Sequence, residues 1–116
     1  LDVKLPNAER ALIDIEKLRD YSLNPNHPKG KHKARVFLAA LGLKADDAET
    51  LREKVMEAIL ISEAREQQPT PYGRRFIVDF YLTGFEKFVA TTVTVRSAWM
   101  IRNGEDFPRL TSCYIL

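Results

Sequence analysis

The hydrophobic period of this chain changes once, between residues 67 and 73, and that change narrows the possible folds more than any motif does. Before it, apolar residues recur at intervals of three and four, as on one face of a helix. After it they alternate, as on one face of a strand. Helices grouped first and strands grouped second point to an α+β domain, with helices packed on one sheet face. The 116 residues are material for one such domain, spanning 1–116.

Two to three helices are expected in the front part, about residues 14–62. Asp14 can cap a short helix to about Leu23, with Ile15, Leu18 and Ser22 on one side. Asn24-Pro25-Asn26-His27-Pro28 then stops it, because two prolines and two asparagines make a turn. A second helix is expected from about Lys31 to Leu41, closed by Gly42. In the third, Asp46 and Glu49 have capping-box spacing, and Leu51, Val55, Ala58, Ile59 and Ser62 trace one face. Gln67-Gln68-Pro69-Thr70-Pro71 reads as a loop.

The back part, about residues 74–116, reads as a three- to four-stranded antiparallel sheet. Phe76, Val78, Phe80 and Leu82 alternate with Arg75, Ile77, Asp79 and Tyr81. Thr83-Gly84 can turn the chain. Val89, Val93, Val95, Ser97, Trp99 and Ile101 share one face of a long β-branched strand; Thr94, Arg96, Ala98, Met100 and Arg102 share the other. Asn103-Gly104 is a turn signal, and a last strand covers about Arg109 to Leu116. Short connections favour a meander. The register of the last strand stays open, and a one-residue slip would flip it. Trp99 shares parity with Val93 and Val95, so it is expected in the core. Cys113 is expected to pack as a small hydrophobe.

Composition removes several classes. One cysteine excludes an internal disulfide and argues against a cysteine-based zinc site. Two histidines, His27 and His32, do not make a three-ligand metal site, so neither metal nor cofactor is expected. Uncharged apolar stretches such as Ala58 to Ser62 are far short of the ~20 residues of a membrane span. No signal peptide is visible. The chain begins at Leu1, which fits a processed product or a piece of a larger delivered protein.

The net charge of +2 is too small to imply a polyanion partner, but it is unevenly spread. Residues 28–44 carry five basic groups and no acid; residues 45–69 carry three basic and seven acidic groups. Lys29, Lys31, Lys33 and Arg35 form an unbroken basic run beside both histidines. Its ordinary reading is a solvated helix face; its functional reading is a patch that tracks a nucleic-acid backbone. Arg75 and Arg96 fall on the less apolar sides of their strands, and Arg109 opens the last one beside Thr111 or Ser112. A meander can bring such arginines to one phosphate, which the guanidinium fork suits. Tyr72, Tyr81 and Tyr114 can add hydroxyl donors. RNA cleavage needs a base for the 2′-hydroxyl, a cation for the phosphorane and an acid for the leaving oxygen. His, Lys and Arg can fill those roles without a metal.

Five blocks carry a resemblance: Leu5-Pro6-Asn7-Ala8-Glu9; Leu23-Asn24-Pro25-Asn26-His27-Pro28-x-Gly30-x-x-Lys33-Ala34-x-x-Phe37; Tyr72-Gly73; Val95-Arg96-x-x-Trp99; and Pro108-Arg109-Leu110-Thr111. Together they resemble a bacterial family classed as a domain of unknown function, found free-standing and as C-terminal modules of toxin-like proteins. Its layout is similar to the metal-independent ribonuclease superfamily of barnase, EndoU, the colicin E5 and D nucleases and RelE. The resemblance implies helices preceding an antiparallel sheet whose open face cleaves RNA. It implies catalytic roles for His27 (base or acid), Lys33 and Arg96 (transition-state charge), Arg109 (phosphate) and Thr111 (hydroxyl donor). Lys29, Lys31, His32, Arg35 and Arg75 would bind RNA.

The expectation is therefore a toxin-type, metal-independent endoribonuclease. It would cut tRNA or mRNA by transesterification to a 2′,3′-cyclic phosphate. It would act in the cytoplasm, without a membrane partner, and a cognate antitoxin or immunity protein would occlude its basic face. The alternative is a non-catalytic protein-interaction module, docking through a sheet edge and the acidic third helix.

Overall fold

The computed structural model describes residues 3–116. It is α+β: N-terminal helices pack against a four-stranded antiparallel sheet. Helix α1 spans Lys31–Leu41 and α2 spans Ala48–Ile61. The strands are β1 (Ala64–Thr70), β2 (Gly73–Thr83), β3 (Thr92–Arg102) and β4 (Arg109–Ile115), in the spatial order β1-β2-β3-β4. Among the described residues no helix is long and apolar enough to cross a membrane.

The helices form where the apolar spacing places them. α1 buries Ala34, Phe37 and Leu41. It ends at Gly42, whose φ of 73° is left-handed, with the Gly42 N–H on the Leu38 carbonyl and the Leu43 N–H on that of Phe37. That is a Schellman closure, and glycine takes its backbone angle without strain. α2 buries Ala48, Leu51, Val55 and Ile59. A 3₁₀ turn at Ala45–Asp47 precedes it, so capping falls one residue later than the D-x-x-E spacing predicts. The Asp47 carboxylate accepts the Lys44 N–H at 2.9 Å, while Glu49 pairs with Arg52. The segment after Asp14 is wound as a π-helix over Lys17–Ser22, with Leu18 and Ser22 buried.

β1 occupies the stretch that reads as a loop. Its residues are polar and mostly exposed, so no alternation marks it. It pairs with β2 from Ala64↔Val78 to Gln67↔Arg75, then shifts register before Thr70↔Gly73. An edge strand with such an irregularity tolerates Pro69. β3 begins at Thr92 rather than Val89, because residues 84–91 form the connection, with a 3₁₀ turn at Glu86–Phe88.

β2 and β3 pair without interruption from Gly73↔Arg102 to Thr83↔Thr92. β4 follows β3 from Met100↔Arg109 and Trp99↔Leu110, then slips so that Ala98 faces Ser112. Thr111 is the extra residue of this bulge, and its hydroxyl donates to the Ala98 carbonyl at 3.0 Å. The slip settles the register. Leu110 and Cys113 enter the core, while Arg109, Ser112 and Tyr114 stand on the opposite face.

The core lies between the helices and one sheet face. Trp99, Phe37, Phe76, Leu18, Leu51 and Ile59 are all but fully buried. The indole N–H of Trp99 donates to Ser97 Oγ at 2.9 Å, and Ser97 Oγ donates to the Val78 carbonyl at 2.8 Å. The two buried polar groups are thereby satisfied inside an apolar layer.

Candidate functional site

On the face of the sheet turned away from the helices every side chain is exposed or half-buried; the one buried position there is Gly73, which has no side chain. Register writes this face as rows. One row reads Gln67, Arg75, Met100, Arg109. The next reads Arg65, Ile77, Ala98, Ser112. A third reads Asp79, Arg96, Tyr114, and beyond it stand Tyr81 and Thr94.

Arg96 is held in the third row. Its Nε donates to Asp79 Oδ1 and its terminal nitrogen to Oδ2, both at 2.9 Å, with each side chain 26% exposed. Arg65 adds a third bond to the same carboxylate at 3.1 Å. The hydrogen bonds from Arg96 hold the Asp79 carboxyl below the usual carboxylate range, against an opposing push from burial. On the far side of Arg96 stands Tyr114. The Lys33 ammonium lies over its ring, 4.4 Å from the centroid. Lys33 belongs to α1, which packs beside β4, and this brings its ammonium within reach of Tyr114 on that strand. Two residues far apart in sequence, Lys33 and Arg96, thus flank one phenol.

Arg109 sits in the first row. Its guanidinium bonds Glu105 twice, at 2.9 and 2.8 Å, and lies over the Phe107 ring. Arg75 is exposed in the same row, two strands and about 10 Å away. Arg96 is four residues along β3 from that row, or about 13 Å. A single phosphate therefore does not touch Arg96 and Arg109 together; two phosphates of one backbone can.

Thr111, Ser112, Lys17 and Tyr21 line a cleft of about 240 Å³ beside the bulge of β4. The His27 ring packs against Tyr21 at a tilt of 55°, with ring centroids 4.5 Å apart. Its Nδ1 accepts the backbone N–H groups of Lys29 and Gly30, each at 3.0 Å, just ahead of α1. An Nδ1 used twice as an acceptor carries no proton, so the neutral ring keeps its proton on Nε2. In this pose His27 offers a donor rather than a base.

The basic run of α1 is divided by the helix itself. Residues two apart are separated by about 200° around the axis. Lys33 turns toward β4, so Lys31 and Arg35 turn to the other flank. His32 and Lys29 are exposed. Cys113 is buried, and burial pushes its thiol up to about 12, which removes it as a nucleophile.

The sequence matches a known family from residue 4 to the last residue, 116. The chain belongs to the DUF6883 family, a domain of unknown function. No curated protein and no solved structure matches it.

Chemically, the open face of the DUF6883 domain is a set of guanidiniums partly balanced by two carboxylates, Asp79 and Glu105. Such part-exposed pairs contribute about 0–1 kcal/mol each, so an incoming phosphate can exchange with them at small cost. The Asp79–Arg96 pairing is long-range and leaves no local signal, and the i,i+4 spacing of Glu105 and Arg109 lies outside any helix, where it singles out no pair. Tyr114 was visible only as one of several hydroxyls. Its place between Lys33 and Arg96 depends on the bulge at Thr111.

Proposed function

We propose that this domain is a toxin-type endoribonuclease that cleaves RNA by metal-independent transesterification on its open sheet face. The observation that supports this reading most is the approach of Lys33 and Arg96 to the two sides of Tyr114. One cation then lies over the ring and the other beside its hydroxyl, so a phosphate bound next to the phenol has both charges and a phenolic proton in its neighbourhood. Lys33 and Arg96 stabilise the non-bridging oxygens as negative charge develops. The 2′-oxygen attacks phosphorus, its proton leaves to water, and the bond to the 5′-oxygen breaks. Tyr114 gives its proton to that oxygen and recovers one from water. The products are a 2′,3′-cyclic phosphate and a 5′-hydroxyl.

In this reading Arg109 and Arg75 hold another phosphate of the same backbone, two rows away. Thr111 shapes the bulge and His27 positions the start of α1 through its Nδ1. Lys29, Lys31, His32 and Arg35 bind only the more distant parts of a long RNA. A cognate antitoxin or immunity protein would cover the open face.

The test is incubation of the purified protein with total RNA and with short oligonucleotides in EDTA. The expected result is cleavage leaving cyclic phosphate termini, lost in Arg96→Ala. RNA that stays intact through prolonged incubation overturns the reading. A non-catalytic interaction module is the second reading. It is favoured by one observation: Arg96 and Arg109 are each closed off by a bidentate carboxylate. A protein partner captured by this face without any RNA cleavage would support it.

A further inference from the structure

We propose that the cleft between the end of α2 and the edge of β2, just before β1 begins, is a nucleobase site, so that the substrate of this face is RNA with an unpaired base. The inference rests on the RNA reading above, whose phosphate it supplies with a neighbouring base. β1 begins at Ala64, opposite Val78, so among the described residues the outer edge of β2 from Asp79 to Thr83 has no strand partner. The end of α2 stands beside that edge. Between them lies a cleft of about 430 Å³ lined by Ala58, Ile61, Asp79, Phe80, Tyr81 and Thr94.

Three features of the cleft select its occupant. First, its rim carries two large side chains that the fold leaves in water: Tyr81 is 81% exposed and Ile61 76%. A tyrosine on an open strand face, free on one side, is a stacking surface for a flat ring. Secondly, the cleft has an anion subsite next to it. Thr94 is the register partner of Tyr81 and stands two residues, about 7 Å, from Arg96 along β3. Arg96, Arg65 and Lys33 gather around Asp79 and Tyr114, three cations against one carboxylate, so the neighbourhood is positive. Thirdly, the cleft is lined by the hydroxyls of Ser62, Tyr81 and Thr94 and by the Asp79 carboxylate that Arg96 and Arg65 hold, polar groups that can meet the edge of a base but not a purely apolar group.

A flat, largely apolar ring joined to an anion a few ångströms away is a nucleotide. An apolar peptide would leave the cations unmatched. A duplex keeps its bases stacked and paired, so only a single strand, a loop or a bulge can insert one here.

The test uses the whole chain and a short 2′-O-methyl oligonucleotide, which lacks the attacking hydroxyl and so reports binding alone. The wild type should bind it single-stranded at least about tenfold more tightly than the same sequence as a duplex, and Tyr81→Ala should lose about tenfold of that affinity. Tyr81→Phe should keep it, because the ring and not the hydroxyl stacks. Tyr81 is exposed, so neither change threatens the fold. Equal affinity for single strand and duplex, unchanged binding in Tyr81→Ala, or no binding of either form overturns the base site. Cleavage of an all-ribose oligonucleotide is read separately. Cleavage with Tyr81-independent binding leaves the nuclease reading and removes this site; Tyr81-dependent binding without cleavage does the reverse.

Discussion

Arg96 and Asp79 face each other across β3 and β2, joined by two parallel hydrogen bonds of 2.9 Å. The pair sits at the centre of the open face and sets how that face meets an anion. Arg96 is aimed and partly neutralised by the same carboxylate. Any phosphate bound there is placed by a guanidinium whose orientation is already fixed.

The pair makes stability depend on pH. Hydrogen bonds from Arg96 keep the Asp79 carboxyl below its ordinary value of 3.8 in the folded chain. A lowered carboxyl contributes stability that is full above the ordinary value and is lost as pH falls through the folded one. Melting of wild type and Asp79→Asn should therefore differ most from about pH 5 to 7, and converge toward about pH 2. A gap that persists unchanged to the acid end would show that the contact is not ionic.

His27 should act on α1 through its acceptor nitrogen. His27→Ala strands the Lys29 and Gly30 N–H groups and should cost about 1 kcal/mol, as lost helix caps do. His27→Asn keeps a side-chain oxygen in reach and should restore most of it. Urea titration of the three proteins decides this; equal losses for Ala and Asn would mean the two bonds contribute nothing.

The division of the basic run by helix pitch has a functional consequence. Lys33→Ala and Arg96→Ala should each slow cleavage of a short oligonucleotide by about 100-fold or more. Lys31→Ala and Arg35→Ala should leave that rate unchanged and weaken only the binding of long RNA, with a shallower salt dependence. Comparable rate losses in all four variants would show that the run acts as one patch.

Inside the core, Ser97 should matter chiefly through Trp99. Ser97→Ala leaves the buried indole N–H without an acceptor and should cost about 1–3 kcal/mol. In a Trp99→Phe background the same change should cost clearly less, since no N–H remains to strand. A double-mutant cycle with additive terms would refute the coupling.

The parity of β2 and β3 was legible because alternation is a local property of the chain: Phe76, Val78, Phe80, Val95, Trp99 and Ile101 enter the core where their spacing puts them. α1 and α2 were legible for the same reason, each with its apolar face and α1 with its glycine stop. β1 was not. A polar edge strand owes its form to the hydrogen bonds of its neighbour, and those leave no mark on its own composition.

For the candidate site, the residue types on the open face follow from the sequence, since Arg75, Asp79 and Tyr81 share a parity along β2, and Arg96 and Met100 share one along β3. Which of them meet does not. The bulge at Thr111 decides that Tyr114 stands beside Arg96, and the packing of α1 on β4 decides that Lys33 reaches the same ring. Register and helix docking are fixed by the balance of many distant contacts at once. Local periodicity therefore settles which side a residue occupies, and only the folded chain settles its company.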